Sequence, residues 1–121
     1  RDFLIVNGAD DQYLAGRLMC ADAGIGGTYG CMPELYLFLE QAITEKRFDT
    51  AQALQYRINE FIFRLKNIGN FMAAASEILK YRGINIGPRR NPVPNVDIAR
   101  LNEVRTLSED ISACAEAFGA R

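Results

Sequence analysis

The chain has 121 residues, 49% of them hydrophobic and 24% charged, with a net charge of −1 and no histidine. That balance suits one soluble globular domain with a real core, and it excludes polyanions and acidic membrane surfaces as evident partners. There is no apolar run long enough to span a membrane, no signal peptide is visible in these residues, and the lack of histidine removes any Ser/His or Cys/His catalytic pair from this chain.

In chain order, an apolar run over residues 3–6 breaks at Asn7-Gly8 and delivers Asp10 and Asp11 to its C-terminal end. We expect a strand over 3–7. A helix is expected to follow to about Ala21, capped by Asp10 or Asp11, with Leu14, Leu18 and Met19 on one face. A second strand is expected over 24–29, ending in the glycines of GIGGTYG. Pro33 and Glu34 suit the first turn of a helix carrying Leu35, Leu39, Ala42 and Ile43. Asp49 is a plausible cap for a long helix with Ala51, Leu54, Ile58, Phe61, Ile62 and Leu65 as its stripe. A fourth helix is expected over 71–82, with Met72, Ala75 and Leu79 inward and Gly83 as its stop. Residues 84–95, with three prolines and one glycine, read as a loop. Asp97 starts a last helix, whose stripe is Ile98, Leu101, Val104, Leu107, Ile111, Cys114 and Phe118. Cys20, Cys31 and Cys114 fit neither a disulfide framework nor a zinc site and read as thiols in a reducing cytoplasm.

Strand, acidic loop, helix, strand, glycine loop is the order of a β/α barrel, in which strand C-termini build the active site. Two strands make no stable sheet alone, so their apolar faces need partners. The acidic pair has two readings. It can be a helix cap, or a set of acceptors for the vicinal hydroxyls of a polyol. GIGGTYG fails the G-x-G-x-x-G phosphate pattern, because Tyr29 takes the sixth place and Gly30 comes one residue late. Arg89-Arg90 is too small a basic patch to suggest nucleic acid. Tyr13, Tyr36, Tyr56 and Tyr81 fall in helical stretches and read as packing residues, while Tyr29 lies at a strand end.

FLIVNGADDQYLAG and ADAGIGGTYG resemble the last two barrel strands of the N-acetylneuraminate lyase and dihydrodipicolinate synthase family. The resemblance continues in AQALQYRINEFIFRL, similar to the family's long helix after the barrel, and in GINIGPRRNP, where Gly87, Arg90 and Pro92 fall on its G-x-x-R-x-P turn. GIGGTY is closer to the lyase branch than to the synthase branch. The resemblance implies an α/β fold: the last two β/α units of a TIM (β/α)8 barrel over 1–47, then a C-terminal helical region over 48–121. It implies a pyruvate-dependent class I aldolase or lyase without a metal or other cofactor, acting through a lysine Schiff base. That lysine and a tyrosine proton relay belong to earlier strands. Lys46, Lys66 and Lys80 lie on or beside expected helices, so no catalytic residue is assigned here.

The implied substrate-binding residues are Gly8, Asp10, Asp11, Ile25, Gly26 and Gly27, with the pyruvate part beside Ile25 and Gly26 and the polyhydroxy part at the acidic pair. Pyruvate, an aldehyde or sugar acid, the N-terminal barrel segment and a homotetramer are the implied partners, in the cytoplasm. The chain opens on Arg1 rather than Met, so its natural N-terminus is expected elsewhere, as the C-terminal part of a longer polypeptide. Three departures bear on the sugar substrate. Gly27 stands where lyases usually carry serine, Gly30 where they carry asparagine, and Asp11 where many carry glutamate. The other reading of the chain is a non-catalytic helical interaction domain.

Overall fold

A computed structural model describes residues 2–119. Strand β1 (Val6–Asn7) and strand β2 (Ala23–Gly24) pair in parallel, Val6 opposite Ala23 and Asn7 opposite Gly24. Between them runs helix α1 (Tyr13–Leu18). A parallel pair needs such a crossover, and it leaves both strand ends on the same edge. The helices α2 (Pro33–Thr44), α3 (Phe48–Asn67), α4 (Phe71–Tyr81) and α5 (Leu101–Gly119) follow.

The strands are shorter than the expected 3–7 and 24–29. Among the described residues each has only the other to pair with. The ladder runs out after Asp22 N–H to Ile5 O (2.7 Å) and Ile25 N–H to Asn7 O (2.9 Å). Residues 27–31 then turn, with Thr28 O accepting from Cys31 N and Met32 N. Phe3, Leu4, Ile5, Val6 and Ile25 stay exposed, as apolar strand faces without neighbours must.

The core is continuous from α1 to α5. Leu35 and Leu39 of α2 meet Leu54, Ile58, Phe61 and Leu65 of α3, and Ile78, Val104, Leu107 and Ile111 close it from α4 and α5. These are the stripes that helical spacing marks in α2, α3 and α5. Pro33 sits in the first turn of α2 as expected, and Gly83 ends α4 in the left-handed region at φ 86°. Asp97 caps the last helical stretch by accepting from Ala99 N at 3.0 Å.

Several local expectations are corrected. Asp49 is not the cap of α3: Arg47 takes that place without a side-chain bond, and Asp49 sits in the first turn, where a carboxylate suits the helix dipole. α1 stops at Leu18 rather than near Ala21, because Cys20 turns the chain at φ 68°. Only Leu14 of its expected face packs on the core; Leu18 and Met19 are exposed. In α4 the buried residues are Ala73, Ala74, Ala75, Ser76 and Ile78, while Met72 is exposed. Four successive apolar residues, Met72 to Ala75, carry no phase of their own. Ile98 is 84% exposed, since the chain there is a single 3-10 turn before α5 begins.

Arg17 of α1 donates to Glu40 of α2 through Nε (2.9 Å) and Nη2 (2.5 Å), and Tyr13 Oη donates to the same carboxylate at 2.7 Å. The Arg17 hydrogen bond holds the Glu40 carboxyl below its ordinary 4.5, against a smaller opposing effect of burial. A depressed carboxyl contributes stability that is complete above the unfolded value and is lost as pH falls through the folded one. The stability gap between the intact parent protein and Glu40→Gln is therefore expected to be widest near neutral pH and to narrow below pH 4.5. Thermal melts over an acid series check this, and a gap independent of pH would contradict it.

Candidate active site

The two strands run side by side in one direction, so the segments that leave them emerge together. Asn7 Nδ2 donates to Ala9 O at 2.7 Å and tightens the turn after β1. Residues 10–12 then form one 3-10 turn ahead of α1. Here the capping reading of the acidic pair is corrected, since neither Asp10 nor Asp11 gives the helix a side-chain cap bond. The Asp10 carboxylate reaches across to the other loop. Its Oδ2 accepts from Thr28 N at 2.9 Å and from Thr28 Oγ1 at 2.6 Å. Thr28 is 1% exposed, so these bonds satisfy donors that water does not reach.

Tyr36 Oη lies 2.7 Å from Thr28 Oγ1. The threonine proton is committed to a carboxylate that only accepts, so the tyrosine is the donor. The chain of bonds therefore runs Tyr36 to Thr28 to Asp10, from α2 into the acidic turn. Burial pushes the Tyr36 hydroxyl up, and its proton is held at neutral pH. Burial, with Asp10 nearby, pushes Tyr29 up to about 12. The Tyr29 hydroxyl is buried with no hydrogen-bond partner among the described residues. Tyr13, Tyr29 and Tyr36 form one aromatic cluster behind the glycine loop, with ring centroids 4.0 to 6.0 Å apart. Burial also pushes the Cys31 thiol up to about 11, so it is no nucleophile at neutral pH.

Two glycines permit this approach. A Cβ on Gly26 would overlap the Asp10 carboxylate. A Cβ on Gly27 would meet the Phe71 ring at 2.9 Å. A serine at 27 therefore needs Phe71 to give way, and the missing hydroxyl and the phenyl ring go together. Gly8 lies in open space.

Asp10, Asp11, Gly27, Thr28, Lys66 and Phe71, with Ala9 and Ile62, line a cavity of about 400 Å³. The structure thus brings Asp10, Asp11 and Gly27 to one cavity, with Gly26 against the Asp10 carboxylate. Gly8 and Ile25 do not line it, and Ile25 is 69% exposed. The Asp11 carboxylate makes no hydrogen bond or ion pair among the described residues. Thr28 and Phe71 have no site role in the sequence reading, where Tyr36 is a packing residue and Lys66 is set aside as a catalyst. Thr28 stood inside the glycine motif, but its partners lie 8 and 18 residues away, and no local pattern shows that distance.

Adjacent parallel strands joined by a helix, with both loops at one edge, are the repeating unit of a (β/α)8 barrel, and a helical region follows them here. Residues 1–111 match the model of the dihydrodipicolinate synthetase family, and the chain belongs to that family. It is 41% identical over 119 residues to an N-acetylneuraminate lyase of Mediterraneibacter gnavus, covering 97% of this chain and 38% of that protein. An N-acetylneuraminate lyase of Rhizobium meliloti is 32% identical over 115 residues, covering 95% of this chain and 38% of that protein. The solved sialic acid aldolase of Ruminococcus gnavus superposes with a TM-score of 0.93 at 34% identity, over 98% of this chain and 40% of that one. The chain thus spans about two fifths of the length of these relatives.

Proposed function

We propose that the intact protein is a pyruvate-dependent class I aldolase or lyase of the N-acetylneuraminate lyase type, its Schiff-base lysine lying outside this chain. The observation that carries the reading is the meeting of an Asp11 carboxylate, unbonded among the described residues, with a glycine loop in one cavity, at the common edge of two parallel strands. The 41% identity to a lyase supports the branch.

In the cleavage direction a lysine amine condenses with the ketone of the sugar acid and releases water. The protonated imine then takes up the electron pair of the breaking carbon–carbon bond, and no free carbanion forms. Pyruvate is set free only after the aldehyde has left and the enamine has been protonated and hydrolysed. Residues 1–47 supply the last two barrel units and 48–121 the helices behind them. Asp11 accepts hydrogen bonds from substrate hydroxyls, Ile62 and Phe71 shed water from the same cavity, and Asp10 holds the glycine loop. Ile25 and Gly26 border the pyruvate part, and Gly8 and Gly27 complete the substrate-binding set. A homotetramer in the cytoplasm is part of the same proposal. No helix among the described residues is long and apolar enough to cross a membrane.

Borohydride reduction of the intact protein with pyruvate, followed by peptide mapping, tests the chemistry. The expected adduct lies on a lysine outside residues 1–121. An adduct on Lys46, Lys66 or Lys80, or none at all, would overturn the assignment.

A further inference from the structure

Gln55 sits on the inward face of α3 and is only 8% exposed. A buried amide is costly unless its polar atoms are matched. Here they are matched by the acidic turn. Gln55 Oε1 accepts from Leu14 N at 2.8 Å, and its Nε2 donates to Asp10 O at 3.2 Å and to Asn59 Oδ1 at 2.8 Å. Asn59, one helical turn further on, donates from Nδ2 to Asp11 O at 3.1 Å. The orientation of both amides follows from their partners. An N–H needs the oxygen of Gln55, and two carbonyls need the nitrogens. Two successive carbonyls of the acidic turn are thus gripped by two amides spaced four residues apart on one helix face.

Gln55 also supplies from another helix the capping acceptor that α1 lacks locally, since the Gln12 side chain makes no cap bond. Asp10 is thereby released from capping and turns to Thr28. With its backbone held, the turn cannot swivel, and the Asp11 carboxylate is aimed without being bonded itself.

We propose that Gln55 and Asn59 are positioning residues that pre-orient Asp11 toward substrate. The inference rests on the substrate reading above, in which Asp11 receives the sugar hydroxyls. An acceptor held in place loses less freedom on binding. The competing account is that the amides merely fasten α3 to α1, and the Leu14 contact is the part that does so.

Asn59 separates the two accounts, because it touches the Asp11 carbonyl and not α1. In the intact protein, with N-acetylneuraminate as probe, Asn59→Ala is expected to raise KM about 3- to 10-fold, since it removes both the donor to Asp11 O and the acceptor for Gln55 Nε2. kcat and the unfolding midpoint are expected to stay near the parent values. Asn59→Asp keeps the acceptor for Gln55 but replaces the donor to Asp11 O by a charged oxygen, so it should raise KM at least as much. Gln55→Glu, which keeps the acceptor for Leu14 N but not the donor to Asp10 O, should raise KM as well. An unchanged KM in both Asn59 variants, while Asp11→Ala raises it, would overturn the positioning role and leave the substrate reading standing. An effect confined to Asn59→Asp would reduce it to added charge and overturn it. A fall in unfolding midpoint together with equal losses of kcat and pyruvate imine would show plain fastening. An unchanged KM in Asp11→Ala would sink the substrate reading itself.

Discussion

Replacing Asp10 by Ala in the intact protein is expected to cost about 3 kcal/mol of stability, several times what an ordinary helix cap on a surface helix is worth. The reason is what the carboxylate faces. It accepts the backbone N–H and the hydroxyl of a threonine that is 1% exposed. Truncation leaves an N–H in a place that water reaches poorly, and each orphaned buried donor costs about 1–3 kcal/mol. The threonine hydroxyl also loses a charge-assisted bond, among the stronger hydrogen bonds. Asp10→Asn keeps the shape and one acceptor oxygen, so its loss should be nearer 1 kcal/mol. Equilibrium unfolding in denaturant measures both. A loss in Asp10→Ala no larger than that in Asp10→Asn would show that the carboxylate is not what holds the loops together.

The second large effect is expected at the neighbouring position and on function alone. Asp11→Ala should weaken sugar-acid binding by about 1–3 kcal/mol, roughly 5- to 150-fold, because substrate hydroxyls buried against it would lose their acceptor. Nothing else should come loose, since the Asp11 carboxylate bonds to no described residue and its backbone is held through Asn59. The yield of pyruvate imine should stay near the parent level. Steady-state kinetics beside borohydride trapping separate the two readouts. Equal losses in both would mark Asp11 as structural, and the polyol reading would fall. Two adjacent aspartates are thus expected to give opposite signatures, one in stability and one in binding.

Periodicity carried the helical part of the fold. The stripe of α3 and most of those of α2 and α5 are buried where helical spacing puts them, because a helix that buries one face must repeat it at 3.6 residues; the ends, Ile43, Leu101 and Phe118, are half-buried, and Ile98 lies outside α5. Gly83 is readable for a comparable reason, since its left-handed φ favours glycine. What escaped the reading depends on distant partners. The Asp10 carboxylate has a good local use as a cap, and only the fold shows that Thr28 competes for it from 18 residues away. That competition succeeds because Gln55, 41 residues from Leu14, does the capping. The clue was present in α3, where a glutamine interrupts an apolar stripe between Leu54 and Ile58, but its meaning needs the second helix. Strand length escaped for another reason. Apolar sequence sets what can pair, while the neighbour available decides how much does.

The grip of α3 on the acidic turn also defines what can be transplanted. A designer moving these strand-end loops onto another barrel would take β1, β2 and their loops as the natural cassette. Without Gln55 and Asn59 that cassette arrives with two ungripped carbonyls and an uncapped α1. Without Tyr36 the Thr28 hydroxyl loses the donor behind it. The smallest portable unit therefore runs from the first strand through the end of α3, helices included. Exchange at the strand–loop boundary would carry the letters of the site and leave behind what aims them.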